Sequence, residues 1–315
     1  MGLQPSLAGV HWRLNLKCEH AVPIKGMSVV PREKLSPRTA MQLEKLLNRP
    51  NALPCVPRVV RKLIESFDDD DVDPIKIATL VEEDPALTAK LLKTANSAFF
   101  GLTRNVSNAR EAMSVLGLIK VRALVIASAL GDGFHMVGGV NMGQFWRYSL
   151  NTAALSRYIA LPIRIDENTA YTAGLIHAVG TLVMHAGMPE KMTELDRSVC
   201  MLDLKRAQTE QALFGYSYAE VGAALAREWS FPKRLIDAIR HHTAPFDKDV
   251  YEPIAGVIHI GAWRARAEEH SRRHELLINT YPDPVGVILG IDPEIVVAEQ
   301  IPTFSRHGDV SEASD

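Results

Sequence analysis

The chain has 315 residues, of which 47% are hydrophobic and 23% are charged, so it can bury a substantial core. With a formal net charge of −2, the chain lacks the overall positive charge that binds nucleic acid without sequence specificity. The longest apolar stretch falls far short of the roughly 20 residues that a membrane-spanning helix needs, so we expect no membrane partner.

The first part of the chain predicts an arm followed by a lobe of short helices. Residues 1–36 show neither helical nor alternating periodicity, so we expect an arm that is flexible or docked on the surface. Between residues 37 and 137, apolar side chains recur every three or four positions, which predicts amphipathic helices. Their starts are marked by Ser36-Pro37, Asp73-Pro74 and Asp84-Pro85, and by Asn108 with Glu111, which resembles a capping box.

A cluster of glycines between Gly131 and Gly143 predicts the joint between this lobe and a second one. The second lobe is expected over residues 144–304, followed by a polar tail at 305–315. No segment alternates well enough to be a strand, so the fold class is all-α, with two packed helical lobes. Helices are expected near 144–160, 167–177, 189–213, 217–228, 232–242 and 253–267, with one more small helix ending at 297.

The three cysteines, Cys18, Cys55 and Cys200, lie far apart in the sequence and form no closely spaced pair. This spacing predicts neither a disulfide framework nor a thiolate zinc site, so we expect all three to act as small buried apolar side chains. Without an apolar run near its start, the sequence predicts no signal peptide, and a reducing cytoplasm fits best.

An ordered series of short motifs runs through the first lobe. It comprises Leu53-Pro54 with Pro57, Asp84-Pro85-Ala86-Leu87, Ala95-Asn96-Ser97-Ala98-Phe99-Phe100-Gly101, and Leu116-Gly117 followed by Val121-Arg122. In this order the motifs resemble the HDOD family of bacterial proteins, which is related to the HD and HD-GYP phosphohydrolases. The resemblance extends over residues 50–303 and implies a multi-helical fold with a metal-dependent hydrolase ancestry.

The second lobe resembles the same family at positions that hold a divalent cation in HD phosphohydrolases, but most of the ligands are replaced. The family's first histidine is Tyr148 here, the aspartate of its His-Asp pair is Ala178, a further histidine is Tyr218, and a late aspartate or asparagine is Ala262. Imidazoles remain at His177, His241 and His242. A catalytic divalent site normally needs at least three protein ligands that are held in place by neighbouring carboxylates. Imidazoles without any carboxylate would make a weak site at best, so we expect no metal, no cofactor and no catalytic residue.

The remaining histidines also have structural interpretations. His241 and His242 come at a predicted helix end, where imidazoles bond terminal carbonyls, and His177 is expected to hold another helix end within the core. In the first lobe, Asn96 comes where a helix must end, and Arg122 is a charge on an apolar helix. Both are expected to be structural, with a partner-binding groove as the alternative.

The leading functional hypothesis is a non-catalytic bacterial signalling module that binds another protein, since the fold signature is intact while the ligand set is dismantled. Its partner is not identified by the sequence. One alternative is a metal-dependent phosphohydrolase acting on a nucleotide or cyclic dinucleotide, with His177, His241 and His242 as ligands. Another is a nucleotide-binding sensor without turnover. Each keeps the same fold and differs in what the second lobe binds.

Overall fold

The computed structural model describes residues 37–48, 58–66, 73–96, 102–133, 137–247, 251–269, 277 and 279–297. Within them the regular secondary structure is helical and no strand occurs, which confirms the all-α prediction. The helices are α1 (Pro37–Leu47), α2 (Arg58–Glu65), α3 (Pro74–Glu82), α4 (Pro85–Ala95), α5 (Ala109–Leu116), α6 (Leu118–Gly133), α7 (Met142–Ala160), α8 (Glu167–Ile176), α9 (Val179–Gly187), α10 (Pro189–Asp196), α11 (Arg206–Phe214), α12 (Tyr218–Glu228), α13 (Lys233–His241), α14 (Pro253–Glu269), α15 (Asp283–Leu289) and α16 (Pro293–Val297).

Helix starts follow the capping residues of the sequence. Asp73 accepts a hydrogen bond from the backbone N–H of Ile75 at the start of α3, and Asn108 accepts one from Glu111 at the start of α5. The predicted capping box at α5 is only half formed, because the Glu111 carboxylate bonds the backbone N–H of Ser107 instead of that of Asn108. These side chains satisfy backbone donors that a helix leaves free in its first turn.

Helices extend into the glycine cluster from both sides, since α6 continues through Gly133 and α7 begins at Met142, and a joint between two lobes at this place stays a prediction. One hydrophobic core contains side chains from both sides of this joint, from Leu43 in α1 to Ala265 in α14. A smaller apolar cluster packs the opposite side of α14 against the segment that contains α15 and α16. In the second lobe, α7 packs against α8 and α14, while α12 packs against α9 and α13.

The predicted helix over residues 189–213 is two helices, α10 and α11, with turns between them. The turns are stabilised locally, because the Ser198 hydroxyl donates to the Leu195 carbonyl and the Asp203 carboxylate accepts from the Lys205 backbone. Side chains that bond nearby backbone in this way compete with a continuous helix. The sequence pattern does not predict helices α9 and α15.

One further prediction is wrong, and others concern residues outside those that the structure describes. Cys200 is disulfide-bonded, so its expected role as a free apolar side chain is wrong, while Cys18 and Cys55 lie outside the described residues. The predicted arm at 1–36 and tail at 305–315 lie outside them too. None of the helices in the described part of the chain has the length and hydropathy needed to span a membrane.

Candidate functional site

Two buried histidines occupy matching positions at the ends of two helices in the second lobe. His177 caps the C-terminus of α8, and His242 caps that of α13. In each ring Nδ1 lies 2.7 Å from a carbonyl oxygen three residues earlier, that of Gly174 or Ile239. A carbonyl oxygen only accepts, so Nδ1 carries the proton in both rings and Nε2 is left as an acceptor. The rings meet edge to face with their centroids 5.0 Å apart.

Two tyrosines bind the remaining nitrogens. Tyr148 of α7 places its hydroxyl oxygen 2.9 Å from Nε2 of His177, and Tyr218 of α12 places its own 3.2 Å from Nε2 of His242. Since each Nε2 is an acceptor, the phenol donates in both pairs. All four side chains are at most 3% exposed. Four helices therefore meet at one hydrogen-bonded aromatic cluster, which we call the histidine–tyrosine core.

Helix α14 supplies a fifth side of this core. His259 donates through Nδ1 to the backbone oxygen of His242 at 2.7 Å. Arg266 donates through Nη2 to the Tyr218 hydroxyl at 3.1 Å, and its Cζ lies 5.2 Å from the centroid of the Tyr148 ring. With Ala262 between them, these residues follow a spacing of three and four, which places all three on one face of the helix.

Burial keeps the imidazoles of the core neutral. Removal from water lowers the pKa of His177 to about 3, and the positive charge of Arg266 adds to that lowering. Burial likewise holds the pKa of His242 well below its ordinary value, with a contribution from His177. In the opposite direction, burial raises the pKa of Tyr148, so its phenol remains a donor. The core therefore keeps one protonation pattern near neutral pH.

A network of buried charged side chains adjoins the histidine–tyrosine core and binds the first residue of α12. The Glu210 carboxylate accepts from the backbone N–H of Tyr218 at 2.7 Å and from Nε of Arg206 at 2.7 Å. Arg206 also binds Asp196 at 2.6 Å, and Asp196 accepts from Nε2 of His185 at 3.0 Å. Because Glu210 and Arg206 are at most 1% exposed, each depends on the other for compensation of its charge.

The donor set does not fit a divalent cation. Metal binding needs imidazole lone pairs that point at the ion and neighbouring groups that accept from the other ring nitrogen. Here the Nε2 lone pairs of His177 and His242 accept from phenols, and Ala178 and Ala262 bring methyl groups where the family places oxygen ligands. Within the described residues, no group of three or more histidine, cysteine, aspartate or glutamate side chains is arranged to hold a metal.

The structure brings together only some of the residues singled out from the sequence. His177, His242, Tyr148 and Tyr218 converge, whereas His241 lies half-buried at the last position of α13. The sequence pattern does not identify His259 and Arg266 as members. The signal that could have found them is their spacing around Ala262, three residues before it and four after.

In the first lobe, Asn96 clamps a loop. Its amide donates to the Val106 carbonyl at 2.9 Å and accepts from the Val106 N–H at 2.7 Å, so both ends of the side chain are engaged. Arg122 of α6 is only 5% exposed. The hydrogen bonds of Asn96 fit its structural interpretation, and the partner-binding groove at Asn96 and Arg122 stays a prediction.

Three solved structures resemble this fold. An HDOD domain protein of unknown function from Geobacter sulfurreducens is 25% identical with a TM-score of 0.67, over 83% of this chain and 93% of that one. A Shewanella amazonensis SB2B protein named for an inferred phosphohydrolase activity is 24% identical with a TM-score of 0.65, over 83% and 92%. A Marinobacter aquaeolei VT8 protein named for an inferred role in signal transduction is 23% identical with a TM-score of 0.64, over 82% and 61%.

The chain spans less than half the length of the curated relatives that it matches. A sequence model of the HDOD domain matches residues 53–245, which include both the motifs of the first lobe and the core residues Tyr148, His177, Tyr218 and His242. The motif series, the helical architecture and this match agree, and the chain belongs to the HDOD family.

Proposed function

We propose that this HDOD protein is a non-catalytic regulatory module that acts in bacterial signalling by binding another protein. The observation that carries the proposal is the closed state of the histidine–tyrosine core, in which phenols take the lone pairs that a metal would need. A hydrolase of this ancestry needs those lone pairs, because the cation activates the attacking water. Because the fold is retained while phenols occupy the imidazole lone pairs, we infer that the chain acts through contacts of its surface.

The described surface offers a pocket of about 220 Å³ where α1 meets α10 and α11. Its walls include the apolar side chains of Met188, Leu213 and Phe214, and two lysines, Lys45 and Lys191, belong to its lining. The ammonium group of Lys191 lies 6.0 Å from the centroid of the Phe214 ring, and Leu213 is 52% exposed. We infer from this charge that the partner inserts an apolar side chain flanked by acidic residues.

Metal content and hydrolysis separate this proposal from the phosphohydrolase alternative. Protein purified without a histidine tag is expected to hold far less than one equivalent of iron, manganese or zinc and to leave bis(p-nitrophenyl) phosphate and cyclic dinucleotides intact. A stoichiometric metal that disappears in His177→Ala and His242→Ala variants would favour the enzyme. Calorimetric binding of a cyclic dinucleotide or guanosine polyphosphate without turnover would favour the nucleotide sensor.

The partner-binding surface is tested by pull-down from the native host with the full chain as bait. A protein captured by the wild type is expected to be lost with Lys191→Glu and with Phe214→Ala. Lys76→Glu is the matched control, because Lys76 is exposed on α3, which does not line the pocket, and this variant should retain the partner. Equal capture by all three variants would show that the pocket is not the docking site.

A further inference from the structure

We propose that the guanidinium of Arg266 takes the place of the divalent cation of the HD phosphohydrolases, so that this core carries its own fixed cation. The inference rests on the proposed function and deepens it, because it names what replaced the metal.

The position of Arg266 is the first step. Its Nη2 donates to the Tyr218 hydroxyl at 3.1 Å, and its Cζ lies 5.2 Å from the centre of the Tyr148 ring. These two tyrosines stand where the family places histidines. The cation of Arg266 therefore contacts both of the substituted positions at once, one through the phenol oxygen and the other through the face of the ring.

The charge environment is the second step. The neighbouring arginines have carboxylate partners: Arg147 binds Glu269 at 2.6 Å, and Arg264 forms an ion pair with Glu268. Among the described residues, Arg266 has no such ion pair, its Nε is buried without a hydrogen-bond partner, and Asp203 attracts it only from a greater distance. A buried cation is costly unless nearby groups compensate it. Here the electron-rich faces and oxygens of the tyrosines provide that compensation.

The electrostatic consequence is the third step. The guanidinium of Arg266 contacts the two tyrosines whose hydroxyls bind Nε2 of His177 and His242, so its positive charge lies beside both imidazoles. A divalent ion placed among these rings would be repelled by the same charge at short range and low dielectric constant. Restoring histidines at Tyr148 and Tyr218 would therefore not by itself restore metal binding while Arg266 remains.

The test restores imidazoles and varies Arg266 independently. The double variant Tyr148→His/Tyr218→His frees Nε2 of His177 and His242 and brings four imidazoles to one point. The probe is Co²⁺, whose visible absorption reports tetrahedral coordination. We expect the triple variant with Arg266→Met to bind Co²⁺ at least roughly 100-fold more tightly than the double variant. The matched control combines the double variant with Arg227→Met, which removes an exposed arginine from α12 and should leave Co²⁺ binding unchanged.

Equal Co²⁺ affinity with and without Arg266 would overturn the inference, and so would the absence of binding in both variants.

If these variants do not fold, single substitutions of the wild-type chain decide the question. Thermal unfolding should leave Arg266→Lys within about 2 °C of the wild type and lower the Tm of Arg266→Met by at least about 4 °C. Equal losses in both would show that only packing matters. Pull-down and hydrolysis use the native chain, so failure of this inference is distinguishable from failure of the proposed function.

Discussion

Acidification from pH 7 to pH 5 should destabilise this protein through its buried histidines. The folded-state pKa of His177 is near 3, compared with an ordinary value of 6.5 for the unfolded chain. Between those values only the unfolded chain takes up the proton. A depressed folded-state pKa therefore gives stability that is present above about pH 6.5 and is lost as the pH falls. His242 has the same sign, because burial holds its pKa well below the ordinary value.

The magnitude follows from the difference between the unfolded-state pKa and the working pH. One pH unit corresponds to about 1.4 kcal/mol for each group that only the unfolded state protonates. His177 and His242 are at most 1% exposed, so solvent screening requires no discount. His177 should lose about 2 kcal/mol of stabilisation at pH 5, and His242 should add a loss of the same sign, against a total stability of roughly 5–15 kcal/mol for a folded domain.

Urea unfolding at pH 7, 6 and 5 measures this effect. The free energy of unfolding of the wild type should fall steeply over this range, and His177→Asn should lower stability at pH 7 but reduce its loss on acidification by about 2 kcal/mol. Asparagine is the matched replacement, because its side-chain nitrogen can still donate to the Gly174 carbonyl while the group no longer titrates. His242→Asn should also reduce the loss on acidification, and the double variant should reduce it more than either single variant. An acid response that is unchanged by these substitutions would refute the assignment of the imidazoles as buried neutral groups.

Three further substitutions test how the core is supported. Gly180→Ala should destabilise the chain by at least about 3 kcal/mol in urea unfolding, since its Cβ would lie 2.0 Å from the Tyr218 backbone oxygen. Gly138→Ala, where a Cβ meets nothing within 4 Å, is the control and should be close to neutral. Glu210→Gln should cost about 3 kcal/mol by the same measurement, because Arg206 loses the fully buried one of its two carboxylate partners, and a cost below about 1 kcal/mol would contradict this account. Asn96→Ala should cost about 2 kcal/mol and speed hydrogen exchange at the Val106 amide, whose partner it removes; unchanged exchange would contradict the clamp.

The fold class could be predicted from the sequence because most helices here begin with readable local signals. Asp73 and Asp84, each followed by proline, mark the starts of α3 and α4 at the observed positions. Helix α9 escapes prediction because its N-cap is Ala178, which offers no side-chain hydrogen bond, and a glycine comes in its first turn. The division between α10 and α11 escapes it because it depends on side-chain bonds in the turns, not on the apolar period.

The candidate site was predictable in part. The motif positions include Tyr148, His177, Tyr218 and His242, which the structure brings together, since a family pattern carries information about contacts between distant helices. It did not indicate Arg266, because α14 is apolar on most of its circumference and its sequence does not show which face meets the other four helices. Only tertiary packing identifies a guanidinium within reach of both tyrosines.

The hydrogen bonds that occupy the imidazole lone pairs of the histidine–tyrosine core also stabilise this part of the chain. An imidazole without a metal would leave a buried acceptor unsatisfied, which costs about 1–3 kcal/mol for each group. Tyr148 and Tyr218 satisfy those acceptors with phenol donors, and the Tyr218 oxygen in turn accepts from Arg266. The replacements are therefore coupled: restoring one histidine alone would remove a donor without supplying an ion. Such coupling predicts that single reversions toward the phosphohydrolase pattern are destabilising.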